Sequence, residues 1–426
     1  MITAAVVLFG TFFLLLLLNV PIALSLGAAS LVGFLTLDLP LQVLPAMFFA
    51  STTKFSLLAI PLFILAGMIM ERCGISDRLI RLATLIMGPV AGSLALVTVV
   101  VGILFAGISG SGPADVAALG AILIPSMLAR GYKKQFTTGL MAAVGSIGIV
   151  VPPSIAFIIY GVLAEVSVGK LFMAGIIPGI IMGIFMGGIS YVIARREGYR
   201  GERRGTLREI WAAFKEAIWG IIAPLIILGG LYGGIFTATE AAGIVVVYGL
   251  LVGLFVYREV RFKDLLKLAT DSAVASAVVM FIVAAAGLFA WIIIVKGLAV
   301  AMTDALLGLT SSTIGFLMIA NLILLLAGCF LDAISIFYIT VPIFMPVVRQ
   351  LGIDPIHFGV IMTVNLAIGQ FTPPVGVNLY VAGSLGKASL KEVSAGAVPF
   401  ILASVLALLL ITLVPSLSTW IPGLMR

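Results

Sequence analysis

Apolar runs of about 17 to 25 residues recur along the chain between short polar and basic stretches, and each is long enough to cross a hydrocarbon core of about 30 Å as a helix. Spans are read near 2–18, 20–37 and 57–73, then a connector that carries Arg72, Arg78 and Arg81. An apolar hairpin follows over 90–129, with the glycine-rich polar tip GISGSGPAD in its middle. The span near 135–164 is broken by GIVVPPS, and another runs near 171–194. Residues 195–216, the most polar stretch, are too few for a domain and read as a cytoplasmic linker with an amphipathic helix. After them come spans near 218–236 and 241–257, the basic loop YREVRFKDLLK and a span near 270–295. A second hairpin, 313–348, has FLDAIS at its tip; the span near 357–386 is broken by GQFTPPVG; the last span lies near 393–414. In a bilayer every backbone polar group must find its partner within the protein, so the pattern predicts an all-α polytopic membrane protein.

Composition agrees. At 62% hydrophobic and 10% charged, the chain could not cover a soluble surface. Its 47 glycines and 19 prolines suit close helix contacts and broken helices. The net charge of +7 does not point to nucleic acid, because the basic residues lie in short loops between apolar runs, where they orient a membrane chain. With the N-terminus outside, all of the 24 Lys and Arg fall in cytoplasmic segments except Lys54, Lys170, Lys296, Arg349 and Arg426. Were either hairpin a full crossing, the later basic loops would land on the wrong side. Cys73 at a span end and Cys329 within a span make no disulfide framework. The run Ile2 to Leu18 has no basic stretch ahead of it and leads into a second run, so it reads as a span and not as a cleaved leader.

Residues 104–180 align without gaps on 325–401. Gly107 meets Gly328, Pro125 meets Pro346, Gly148 meets Gly369, Pro152-Pro153 meets Pro373-Pro374, and Pro178 meets Pro399. Lys170 with Lys391 and Gly175 with Gly396 keep the same register. Shared apolar composition matches some Leu, Ile and Ala by chance, but not a Pro-Pro pair and further prolines together. The first hairpin enters from the cytoplasm and the second from the opposite side. The halves are thus two inverted repeats, each with a re-entrant hairpin and a Pro-Pro-broken helix, an arrangement typical of alternating-access carriers.

The breaks carry the chemistry. A Pro-Pro pair inside a span frees carbonyl oxygens, which membrane depth tolerates only against protein or a wet site. Such carbonyls and hydroxyls suit a hard cation such as sodium, and half-helix N-termini suit a carboxylate. The first candidate site combines Ser109, Gly110, Ser111 and Gly112 with Gly145, Ser146, Val150, Pro152 and Ser154. The second combines Asp332, Ala333 and Ser335 with Gly369, Gln370, Thr372, Pro373 and Gly376. Ser111, Pro113, Asp332, Asn365 and Asn378 mark where an anion would lie. A carboxylate within a span costs at least about 2.5 kcal/mol, so Asp332 has a job, as cation ligand, organiser of its tip or cap of a helix. For Asp115 the pattern leaves capping and ion binding open. Glu240 reads as a solvated or capping residue, His357 as a bystander at a span end, and Lys170 and Lys391 as interfacial anchors.

Together the tip GISGSGPAD, the break VPPS, the tip FLDAIS with VPIFMPV after it, and the break QFTPPVGVNLYV resemble the large membrane subunit of tripartite ATP-independent periplasmic (TRAP) transporters. The match runs over essentially the whole chain in order and spacing. The resemblance implies the ion transporter superfamily fold, in which an elevator-type transport domain moves against a scaffold. Scaffold helices would then occupy 1–56, first-repeat transport elements 57–194, a cytoplasmic linker with scaffold helices 195–268, and second-repeat transport elements 269–426. It also implies sodium-coupled uptake of an organic acid anion, of sialic acid or C4-dicarboxylate type, across the bacterial inner membrane. Sodium is the coupling ion, with no organic cofactor. The partners implied are a periplasmic substrate-binding protein and a small four-helix membrane subunit. The latter is expected as a separate chain, since Met1 leads directly into the first span. The family's sodium sites carry over to Ser109–Gly112 with the GSIGIVVPPS break, and to the Asp332 tip with the GQFTPPVG break.

Two other readings remain. A self-sufficient divalent anion/sodium symporter of the same fold would need no binding protein. An intramembrane serine protease could use GISG, but it needs a histidine base in reach of the serine, and His357 is placed at the far end of a span. Neither H-E-x-x-H nor a Walker motif occurs, so zinc proteolysis and ATP-driven pumping have no support.

Overall fold

The computed structural model describes residues 2–201 and 203–425, which leaves the expectations on Met1 and Arg426 outside the described residues. The first half contains α1 (Ile2–Leu17), α2 (Ile22–Thr36), α3 (Val43–Ala50), α4 (Ala59–Arg72), α5 (Ile75–Met87), α6 (Ser93–Ser109), α7 (Gly112–Ala129), α8 (Lys134–Gly145), α9 (Ile155–Ala164) and α10 (Val168–Arg196). The second contains α11 (Leu207–Tyr232), α12 (Ala238–Leu251), α13 (Phe262–Val295), α14 (Leu298–Leu309), α15 (Thr313–Gly328), α16 (Ala333–Gln350), α17 (Pro355–Gly369), α18 (Val377–Gly386), α19 (Leu390–Leu413) and α20 (Ser416–Gly423). Among the described residues there is no strand, and eight helices are long and apolar enough to cross a membrane.

The helix bounds repeat more widely than the residues do. The shift that takes Gly112 to Ala333, 221 positions, carries α7 onto α16 end for end. The same shift brings α5 within two residues of α14 and α9 within one residue of α18, and it lays α4 on the C-terminal part of α13. Pairing thus reaches back before residue 104, where the sequence has too few prolines and glycines to fix a register.

Helices α3, α14 and α20 lie outside the spans read from the sequence, and three segments read as connector, linker or loop are helical. The connector after residue 73 is the amphipathic helix α5, whose basic side is tied down. Arg78 donates to the carbonyls of Cys73 (2.7 Å) and Gly74 (2.9 Å), stacks 3.8 Å over the Tyr257 ring and pairs with Glu259, while Arg81 pairs with Glu216. The linker's amphipathic helix and the next span are one helix, α11, which starts at a Thr206–Glu209 capping box. Lys215 and Glu216 interrupt its apolar run without a helix breaker, so the backbone continues through them. Residues 262–267 of the basic loop before residue 270 are likewise the first turns of α13. Glu240 closes a capping box with Thr237 at the start of α12.

The repeats interlock through close backbone contact. Gly139 of α8 lies against the backbone of Gly396 in α19, and a side chain on Gly396 would strike the carbonyl carbon and oxygen of Gln135. Gly396→Ala should therefore push α8 and α19 apart, with a loss of about 1–3 kcal/mol of stability. Thermal unfolding of the purified variant should show a lower midpoint, whereas Gly188→Ala, inside α10 with nothing within 4 Å of its would-be Cβ, should leave it unchanged or slightly higher.

Candidate functional site

Each hairpin tip rests on the break of its own repeat. At the first, α6 ends at Ser109, Gly110 turns with φ +66°, and the extended Ser111 precedes α7, with Pro113 in its first turn. A Cβ on Gly110 would lie 2.6 Å from the Pro153 carbonyl oxygen, so this tip and the Pro-Pro break touch backbone to backbone. The break itself leaves α8 at Gly145, makes one 3-10 turn over Ser146–Ile149, and passes Val150 and the cis Pro152-Pro153 peptide before Ser154 caps α9. Local hydroxyls take up freed carbonyls. Ser154 Oγ donates to Ile149 O at 2.5 Å and accepts from Phe157 N, and Ser146 Oγ donates to Ala143 O at 2.6 Å.

The second tip is built on Asp332. It caps α16, with Oδ1 accepting from the amides of Ile334 (2.9 Å) and Ser335 (3.0 Å) and Oδ2 accepting from Ser335 Oγ (2.6 Å). Ala333 is the first residue of the helix. Its break spans Gln370 to Gly376 and holds the cis Pro373-Pro374 peptide. Val375 N donates to Cys329 O at 3.1 Å, and Gly328 and Gly369 face each other so closely that a side chain on either would strike the other's backbone. Thr372 Oγ1 donates to Ile368 O at 2.6 Å.

Side chains from the second break cross to the first repeat. Asn378 Nδ2 donates to Ala142 O at 3.0 Å, and Gln370 Oε1 lies against Gly112 at the start of α7. Asn365 is not brought to the first repeat; its amide bonds to Asn321 on α15 and to its own helix at Ile361 O. Four oxygens near the breaks are buried without a donor: Asp115 Oδ2, Asn365 Oδ1, Gln370 Oε1 and Asn378 Oδ1. Uncharged amide oxygens and a carboxylate oxygen are the hard ligands that an alkali cation takes. The sequence left Asp115 undecided. In the fold it is fully buried between the hairpin arms and accepts a hydrogen bond from Ser109 Oγ. The protease geometry is absent: the single histidine, His357, lies 3.3 Å from Ser418 on α20, and Ser109 is bonded to Asp115.

The two breaks differ in access. Pro152, Pro153 and Ser154 are buried, while Pro374, Val375 and Val377 are exposed. A cavity of about 720 Å³ opens between α3, α9, α13 and α16, with Lys54, Glu165 and Arg349 as its charged residues. Along α16 it is lined by Arg349, Pro346, Met345, Pro342, Val341 and Tyr338. That face of the helix leads down to within six residues of Asp332, about 9 Å at the helical rise. A second cavity, about 770 Å³, lies between α4, α5, α11 and α13 and is lined by Glu71, Asp77, Arg78, Arg81 and Asp271 among others.

An all-helical membrane domain with two broken helices clasped by two hairpins is the architecture of a polytopic membrane transporter. Comparison with known proteins gives the family: residues 9–417 match the family model described as "Tripartite ATP-independent periplasmic transporter, DctM component". The chain belongs to this family of TRAP transporter large permeases. It is 37% identical over 99% of both chains to the C4-dicarboxylate TRAP transporter large permease protein DctM of Rhodobacter capsulatus. It is 42% identical to the isethionate TRAP transporter permease protein DctMQ of Oleidesulfovibrio alaskensis, with 98% of this chain spanning 66% of that protein. The sialic acid permease protein SiaT of Haemophilus influenzae is 34% identical over 97% of this chain and 67% of its own length. Among solved structures, the YdaH transporter of Alcanivorax borkumensis superposes with a TM-score of 0.60 at 18% identity, covering 94% of this chain and 97% of that one, a likeness of fold.

Proposed function

We propose that this chain is the sodium-coupled membrane pathway of a TRAP system, carrying a small organic anion across the bacterial inner membrane. The set of buried, donor-free oxygens at the two breaks carries this reading, because unpartnered oxygens at membrane depth are costly unless a cation meets them. Sodium bound at each break would draw tip and break together, and the anion would sit between the tips near Ser111, Pro113 and Asp332. The cavity along α16 supports an anion as cargo, since Lys54 and Arg349 give it two cations against the single carboxylate of Glu165. Its volume also fits a small ligand. The relatives named above are described as acting on isethionate, C4-dicarboxylates and sialic acid, all small anions; one of these classes is the proposed cargo.

In this reading the repeats are inverted, the N-terminus is periplasmic, and the hairpins with their broken helices move as an elevator past the remaining helices. A periplasmic binding protein delivers the anion, and a small membrane subunit enlarges the scaffold. The test is uptake of radiolabelled succinate, sialic acid or isethionate into proteoliposomes under an inward sodium gradient. Uptake that needs the gradient, the binding protein and the small subunit is expected. Uptake by this chain alone would instead identify a self-sufficient symporter, and uptake indifferent to sodium would overturn the coupling.

A further inference from the structure

The base of the first hairpin is held by the polar segment between α10 and α11, through residues 199–201 and 203–205. Tyr199 touches both ends of the hairpin. Its carbonyl accepts from the amide of Gly92, where the chain enters α6, at 3.0 Å. Its hydroxyl accepts from the amide of Lys133 at 3.0 Å, and its ring stacks on that of Tyr132 at 4.1 Å, where the chain has left α7. Lys133 also pairs with Glu197 at 2.6 Å. Further on, Gly205 N donates to Leu85 O at the end of α5, again at 3.0 Å. The backbones between these bonds meet closely: a Cβ on Gly88 would lie 2.5 Å from Arg203 O, and one on Gly201 would lie 2.6 Å from Pro89 O. The segment is thus a strap, bonded on both sides of the hinge between α5 and α6. Its arginines are largely unused. Arg195, Arg196, Arg200, Arg204 and Arg208 are exposed and make no ion pair among the described residues, while Glu197 and Glu209 are taken by Lys133 and Arg203. Leu207 and Trp211 follow one helical turn apart on α11, 87% and 58% exposed. An exposed indole beside an exposed leucine at the start of a span marks headgroup depth.

We infer that these arginines bind the phosphate headgroups of anionic phospholipids in the cytoplasmic leaflet, and that bound lipid holds the strap on the hinge of the first hairpin. Only the orientation is taken from the reading above, which puts this loop on the cytoplasmic side. Topology asks for basic residues there, but not for their attachment to a segment that joins hairpin entry, hairpin exit and hinge. Nor does closing a hairpin base ask for them. The shift of 221 positions carries Arg195 onto Ser416, so the matching segment of the second repeat is α20, whose 8 residues carry no charge. Guanidinium forks match phosphate oxygens in pairs, and the anionic cytoplasmic leaflet attracts such basic clusters. A soluble phosphate offers the same oxygens, but Leu207 and Trp211 place the arginines where acyl chains lie beside them.

The experiment is thermal unfolding of the full chain in phosphatidylcholine nanodiscs that carry increasing fractions of phosphatidylglycerol. The wild-type midpoint should rise with phosphatidylglycerol and level off. The double variant Arg200→Gln, Arg204→Gln should lose that rise or need at least about tenfold more of the anionic lipid for half of it. Lys263→Gln with Lys267→Gln, which removes two exposed charges from the start of α13, should behave as wild type. Inorganic phosphate added to pure phosphatidylcholine nanodiscs should give no rise. Hydrogen–deuterium exchange reads the hinge itself: phosphatidylglycerol should slow exchange over residues 88–92 in the wild type and not in the strap variant. A rise that survives the strap substitutions, or that the α13 substitutions reduce equally, overturns the lipid site, and an equal rise with inorganic phosphate overturns lipid as its ligand. Unchanged exchange over 88–92 despite a strap-dependent rise overturns the hold on the hinge. None of these readouts uses uptake, so each leaves the sodium-coupled reading standing.

Discussion

Gly110→Val is expected to abolish sodium-driven uptake while the protein still inserts and accumulates in the membrane. Gly110 makes the turn of the first hairpin with φ +66°, a conformation that costs an L-residue about 1–2 kcal/mol and a β-branched one more. The new Cβ would also lie 2.6 Å from the Pro153 carbonyl oxygen, which is fixed backbone and cannot swing aside. Forcing tip and break apart adds about 1–3 kcal/mol of overpacking. Together these reach about 2–5 kcal/mol, concentrated on the contact that closes the first candidate site, and a loss of uptake of at least about thirtyfold follows. Gly131→Val is the control. Gly131 also has positive φ, at +80°, yet nothing lies within 4 Å of its would-be side chain. It carries the strain without the collision and should retain uptake. Equal loss in both variants would mean that turn strain, and not tip-to-break contact, governs transport.

The long apolar runs, the two tips and the two Pro-Pro breaks were legible in the sequence because each rests on strong local physics: membrane length, glycine turns and proline interruption. Helices α6 and α7 run from Ser93 to Ala129 and α15 and α16 from Thr313 to Gln350, and α7 and α16 share their bounds in the repeat register. Part of what was missed has one cause. Helices α5, α11 and the start of α13 carry charged residues within helical periods, and hydropathy alone reads such charges as loop. The contacts between repeats were invisible for another reason. Gln370 beside Gly112 and Asn378 on Ala142 join residues more than two hundred positions apart, and no local pattern encodes such a pairing. Asp115 was ambiguous because capping and ion binding ask for the same residue near a helix start. In the fold Asp115 lies inside α7 and not at its cap, and it accepts a hydrogen bond from Ser109 Oγ.

The same ambiguity at Asp332 can be resolved by a pair of substitutions. Asp332 caps α16 through two amides and the Ser335 hydroxyl, and asparagine keeps the oxygen that accepts from the amides. Asp332→Asn should therefore leave expression and the thermal midpoint in choline close to wild type. If the carboxylate also supplies charge to the second cation site, sodium-driven uptake should fall by at least tenfold, about 1.4 kcal/mol, because an amide oxygen cannot offset a cation's charge. Asp332→Ala removes both roles, so it should add a stability loss of about 0.5–2 kcal/mol to the same transport defect. The informative quantity is the difference between the variants. A transport defect shared by both, with a stability defect in alanine alone, assigns Asp332 to the ion as well as to the helix. Full sodium-driven uptake in Asp332→Asn would make Asp332 a cap only. The charge at the second break would then have to come from the cation alone, against the neutral oxygens of Gln370, Asn365 and the freed carbonyls.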